Sequence, residues 1–230
     1  MSGMKKTQMA ARGLGLAALL VAGTSTMWAQ TRIGPAPPVS YDNKYEIYGG
    51  LNYMNFKAGE DLPTRMNLGG AEIQGTRWLN SKWGVSADYR GDAGTTQVLP
   101  IRGVFGVHRP LVYMNMGLGG VQYRGPKNQH AAVNFHALGG IAYGVFDAGT
   151  DGAPPGNAGL SSAQIASNVG LYSNHAASIF ALGGSLDMNR SKNWAIRLSP
   201  DLILEHFGNE EREFFSISGG VLYRFPPRKK

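Results

Sequence analysis

Charged side chains in this chain recur at every second position of otherwise apolar segments, and that spacing limits the chemistry they can do. Trp194, Ile196, Leu198, Leu202 and Leu204 alternate with Arg197, Ser199, Asp201 and Glu205. Successive side chains of a β-strand point to opposite faces, so the charges share one face and the apolar groups the other. The same alternation sets Trp83, Val85, Ala87 and Tyr89 against Ser86, Asp88 and Arg90, and Phe215, Ile217, Val221, Tyr223 and Phe225 against Ser216, Ser218 and Arg224.

Two short turns fix how these charges meet. If Ser191-Lys192-Asn193 closes a hairpin, Arg190 faces Trp194 and Asp187 stands opposite Arg197. If Asn80-Ser81-Lys82 is the equivalent turn, Leu79 faces Trp83 and Glu72 stands opposite Arg90. Both registers set opposite charges side by side, which favours them over a slipped pairing. Asp88, Asp201 and Glu205 extend the set into an interior charge network. Its expected role is a salt-bridged filling, with a proton or ion path as the alternative.

Catalysis needs a nucleophile beside a base that a third group orients. His175 near Ser173 and Ser178, and His206 beside Glu205, are the candidates, and no motif surrounds either pair. His108, His130 and His136 lack metal-ligand spacing. No catalytic residue, metal site or cofactor is assigned. The chain has no cysteine, which excludes a disulfide framework, a thiolate metal site and a lipid-modified N-terminal cysteine.

The elements that must carry these faces are strands. The sequence predicts them at 44–57, 65–79, 83–91, 111–124, 131–146, 177–190, 194–207 and 213–225. Short links at 80–82, 125–130 and 191–193 alternate with mostly longer ones at 58–64, 92–110, 147–176 and 208–212, as in a barrel with one face toward the periplasm and one outside. Segment 97–109 is assigned to a loop or a strand extension, with a ten-stranded barrel as the alternative. Glycine doublets stand inside six of the strands, from Gly49-Gly50 to Gly219-Gly220. They would let a narrow barrel curve. Trp83 and Trp194, which begin strands after short turns, suit an interfacial aromatic girdle.

Residues 1–29 have the composition of a signal peptide: a positive start with Lys5, Lys6 and Arg12, an apolar run from Leu14 to Val21, and Met27-Trp28-Ala29 before the cut. Residues 30–43, with Pro35, Pro37 and Pro38, form a flexible periplasmic lead-in, 44–225 the barrel, and 226–230 a basic tail. No stretch after the signal is long and apolar enough for a transmembrane helix. The net charge of +7 is concentrated at the two ends. The body between them is nearly neutral and shows no nucleic-acid-binding motif, so no nucleic-acid partner is expected.

The signal peptide, the alternating strands and segments such as Phe180-Ala181-Leu182-Gly183-Gly184-Ser185-Leu186-Asp187 resemble the small outer-membrane barrels of the outer membrane protein A and X type. The last strand carries the most specific part of the resemblance. Ser218, Gly220, Tyr223 and Phe225 match the terminal pattern that such barrels present to the barrel-assembly machinery, although Pro226-Pro227-Arg228-Lys229-Lys230 follows Phe225. The resemblance implies an all-β closed antiparallel barrel of eight strands in the bacterial outer membrane. It also implies a monomer surrounded by lipid and lipopolysaccharide, assembled by that machinery.

A structural or surface-interaction role follows from the resemblance, with the barrel as anchor and the outer loops, 147–176 above all, as contact surface. A narrow conduit for small solutes or ions is the alternative, and a lipid A-modifying enzyme is the weaker third.

Overall fold

A computed structural model describes residues 39–99, 107, 109–146, 148, 159–173, 175–207 and 211–227. The expected signal peptide, most of the lead-in and the last three residues of the tail lie outside that range. Eight antiparallel strands run in chain order around a closed barrel: β1 Tyr45–Phe56, β2 Met66–Trp78, β3 Trp83–Thr95, β4 Leu111–Lys127, β5 Ala131–Val145, β6 Ala176–Asn189, β7 Trp194–Glu205 and β8 Arg212–Arg224. β1 pairs with β8 from Glu46↔Arg224 to Asn55↔Phe215, so no edge is left for further strands. The ten-stranded alternative is therefore excluded. β3 runs on past residue 91 and stays paired with β4 as far as Thr95↔Leu111. Residues 97–99 are not strand, and most of the rest of 97–109 lies outside the described residues.

The alternation works as the sequence suggests on the outer wall. Leu51, Ile73, Tyr89, Ile141, Phe180 and Trp194 are all at least half exposed, a surface no soluble domain presents continuously. The second glycine of several doublets faces the lumen where neighbouring strands come too close for a side chain. A Cβ on Gly140 would lie 1.9 Å from the Gly117 carbonyl oxygen, and one on Gly220 would lie 2.1 Å from that of Gly49. Glycine at these positions is a condition for the tight curvature of so small a barrel.

The inner wall departs from a uniformly polar lining. The half nearer the short turns is polar, and the other half is mainly apolar. In the other half Met54, Leu68, Met114, Met116, Leu138 and Ile203 pack as an apolar core. Above them Phe56, Phe146, Phe207, Phe214 and Tyr172 form a ring cluster, with Phe56 and Phe214 at 4.8 Å and Phe146 and Phe207 at 5.3 Å between centroids.

A lid covers this core at the long-loop end. Helix α1, Ser162–Asn168, begins with a capping box in which the Ser161 hydroxyl accepts from Gln164 N and Ser161 N donates to the Gln164 side chain. It ends at Gly170, whose φ of +88° permits the left-handed turn; Gly170 N then donates to Ser167 O and Leu171 N to Ala166 O. The turn directs Ile165, Val169, Leu171 and Tyr172 downward into the core, and Leu62 joins them from the β1–β2 link. The sequence assigns 147–176 to an outer contact loop. Its described second half is core, because the spacing of those four residues lets one short helix and its exit turn bury them together.

Phe207 touches three rings of this cluster and is fully buried. Phe207→Ala should lower the unfolding free energy by about 3–5 kcal/mol. Urea titration of the folded barrel, followed by loss of heat-modifiable migration, checks this.

Candidate functional site

The polar half of the lumen is built in tiers that join side chains of different strands. At the short-turn mouth, Arg124 on β4 donates to Glu46 on β1 at 2.6 Å and lies 3.7 Å above the Trp78 ring. Arg224 on β8 donates to Asp187 on β6 at 3.1 Å and to Asn189 at 2.7 Å. One tier deeper, Arg197 on β7 binds Asp187 through two nitrogens at 2.6 and 3.0 Å and reaches Gln74 on β2 at 3.0 Å. Asn134 on β5 donates to the same Asp187 carboxylate at 3.0 Å.

The next tier centres on Arg90, which is wholly buried. It meets Asp88 at 2.8 Å on its own strand, Asp201 at 2.7 Å on the opposite wall, and Glu72 at 3.7 Å. His136 closes the far side of Asp201 at 2.7 Å. A last polar tier joins Asn52 to Asp92 at 2.9 Å and to Ser216 at 2.8 Å, and the apolar core begins above it.

Both hairpin registers expected from the sequence are present: Asp187 pairs with Arg197 and Glu72 with Arg90. Asp201 and Asp88 meet Arg90. Glu205 sits apart, at the far end of β7, where its carboxylate accepts from Phe207 N at 2.5 Å beside the aromatic cluster. It does not extend the Arg90 or Arg197 clusters, because three residues of strand separate it from Asp201 and the Met and Leu layer fills the space between. Glu46, Arg124, His136 and Arg224 were missed as members. All four occupy inward positions of their strands, so the parity of the alternation was a usable signal. Their partners lie on strands not joined to theirs by a short turn and could not be counted outward from one.

The short-turn mouth is closed from outside the sheet as well. Residues 39–43, expected within a flexible lead-in, pack into it. The Tyr41 hydroxyl donates to Asn128 O at 2.7 Å and accepts from Asn189 at 2.6 Å, while Arg224 and Arg124 lie 5.0 and 5.4 Å from its ring centre. Burial raises the hydroxyl pKa above its ordinary value, so it remains a neutral donor. Tyr41 has φ 54°, a left-handed backbone unusual for an aromatic residue, which those contacts must offset.

The terminal residues divide between the two faces. Ser218 is buried in the lumen and bonds Tyr48 at 3.0 Å, and Gly220 sits at the β1–β8 seam. Tyr223 and Phe225 lie on the outer wall with rings 5.0 Å apart. Trp194 packs on Tyr223 at 4.7 Å and Trp83 on Tyr123 at 4.9 Å, each Trp about half exposed at the rim of the short turns. Among the catalytic candidates, the His175 ring bonds Gly144 O at 2.9 Å and stacks on Tyr143, while His206 is exposed. No group of three or more potential metal ligands occurs among the described residues.

Among solved structures, Neisserial surface protein A matches with a TM-score of 0.50 at 9% identity, over 79% of this chain and 97% of that one. This chain has the fold of the small outer-membrane barrels. The attachment invasion locus protein Ail of Yersinia pestis matches at 14% identity over 80% of this chain and 99% of its own, with a TM-score of 0.45. OprG of Pseudomonas aeruginosa matches at 12% identity over 80% and 96%, also at 0.45. No family model and no curated protein matches. An outer wall this apolar on a closed sheet needs hydrocarbon around it, so the barrel spans a membrane, and its location is the bacterial outer membrane.

The tiers predict a charge-swap result. Arg197→Glu leaves two carboxylates facing each other without water and should cost about 3–5 kcal/mol. Adding Asp187→Arg should restore part of that loss. Recovery should stay incomplete, because the new arginine faces Arg224. Equilibrium unfolding of the two single variants and the double variant measures the coupling.

Proposed function

We propose that this protein is a closed membrane anchor that presents its outer loops as a contact surface, and that it neither conducts nor catalyses. The observation that carries this reading is the succession of side-chain bridges across the lumen. Arg124 to Glu46, Arg224 to Asp187, Arg197 to Gln74 and Arg90 to Asp201 each join different strands across the interior. A solute would have to part every one of them and then cross the apolar core. An eight-stranded barrel is just wide enough to be filled by its own side chains, and this one is filled along its length.

The contact surface is the outside of the lid. Gln164, Ser167 and Asn168 of α1 and Asp61, Thr64 and Arg65 of the β1–β2 link are exposed there, while their neighbours are held in the core. Such a surface is polar and fixed by a rigid support, the arrangement in which loops serve recognition. Short turns mark the periplasmic end and the longer links the outside. During insertion, the terminal residues Ser218, Gly220, Tyr223 and Phe225 are the part offered to the barrel-assembly machinery, with lipid and lipopolysaccharide around the monomer afterwards.

In planar bilayers the folded wild-type barrel should give no steady conductance. Sustained single-channel steps would replace the anchor with the conduit. A peptide tag placed within 152–156 should be bound by antibody on intact cells, and recognition only after permeabilisation would remove the contact role.

A further inference from the structure

The rim of the short turns is strongly one-sided in charge. Lys44, Arg77, Lys82, Lys127, Arg190 and Lys192 are all exposed there, and Asp42 is the one exposed acid among the described residues of that rim. Most of these cations stand on the turns, in water. Arg77 does not: it lies on the outer wall of β2, between Tyr45 of β1 and Val85 of β3. Its side chain makes no hydrogen bond or ion pair with any described residue. A cation on the lipid face of a barrel costs free energy unless it stands near the interface, where an anion can meet it.

Next to Arg77, toward the middle of the membrane, the wall is hollow. Gly75 lies between Ile47 and Ala87, and nothing in the protein comes within 4 Å of where its side chain would begin. Tyr45, Val85 and Phe225 border the resulting open groove, of about 640 Å³. Its walls are apolar and Arg77 stands at its aqueous end. We infer that this groove binds a phospholipid of the periplasmic leaflet, with one acyl chain lying over Gly75 and Ala87 and the phosphate on Arg77.

Charge and shape agree on this occupant. The guanidinium fork matches two phosphate oxygens. The surrounding lysines attract an anionic headgroup to the rim. The small residues admit a flexible chain that bulkier ones would displace. An anionic cell-wall polymer would satisfy the rim cations but has no use for an apolar groove that opens toward the hydrocarbon, so the lipid accounts for both features.

The inference rests on the orientation adopted above, but its test does not. The full-length folded barrel in detergent is titrated with phosphatidylglycerol, and with diacylglycerol as the same chains without phosphate, and the complexes are counted by native mass spectrometry. Wild type should retain one phosphatidylglycerol and no diacylglycerol. Arg77→Gln should weaken retention about tenfold, the effect of one charge-assisted contact. Gly75→Leu keeps the charge but fills the groove, and should weaken retention to a similar degree. Gly117→Leu, at an equally open outward position of β4, should change nothing. Heat-modifiable migration establishes folding of each variant, and if Arg77→Gln or Gly75→Leu fails to fold the other carries the test. Retention in both at the wild-type level, equal loss in Gly117→Leu, or equal retention of diacylglycerol would overturn the site. So would Arg77-dependent binding of peptidoglycan fragments with lipid retention unchanged.

Discussion

Hydrocarbon offers no hydrogen bonds, so a strand edge left open inside a membrane is too costly to persist. β1 must therefore meet β8, and the remaining features of this molecule follow from the diameter at which they meet. Closure with eight strands leaves an interior about as wide as two facing side chains. Strands bent that tightly come into near contact at Gly50 and Gly220, where a Cβ would overlap backbone atoms of the neighbouring strand. The glycine doublets and the filled lumen are thus two consequences of one geometric condition.

A lumen of that width can be filled in two ways, and this protein uses both. Toward the short turns, arginines cross the space to carboxylates on other strands. Buried ion pairs of this kind recover much of their desolvation cost only through good geometry and further hydrogen bonds. Asp187 meets that requirement with Arg197, Arg224 and Asn134 around it. Such a cluster accepts one register and no other, so it specifies the sheet as well as filling it. Toward the long links, methionines, leucines and phenylalanines fill the same width, with Glu205 as a buried acid bonded to Phe207 N. There the interior resembles the core of a soluble protein.

The two ends are closed by segments outside the sheet, each matched to the chemistry beneath it. Tyr41 and Asn43 cover the charged end and bond to its polar groups, with Asn43 donating to Glu46 at 2.8 Å. α1 and its exit turn cover the apolar end with Ile165, Val169 and Leu171. The lid's rigidity is therefore inherited from the barrel, and so is the stability of any surface it presents. The barrel's outer wall is differentiated too, because Gly75 leaves a hollow beside Arg77 near the rim of the short turns.

Much of this was legible in the sequence, for a reason of range. Alternation along a strand and pairing across a short turn are local, so the strands, the inward face and the pairs Asp187 with Arg197 and Glu72 with Arg90 could be read from residue spacing alone. The outward, half-exposed placement of Trp83 and Trp194 followed in the same way. What joins opposite walls was not legible, since strand order fixes neighbours but not which side chains reach across the lumen. Arg90 meeting Asp201, and His136 behind it, depend on the shear and diameter of the closed barrel. The division of the lumen into polar and apolar halves, the capture of Tyr41 and the burial of α1 also waited on closure. Each involves groups distant in sequence that become neighbours only when the sheet completes its circle. Local periodicity determined the wall, and tertiary closure decided what the wall encloses.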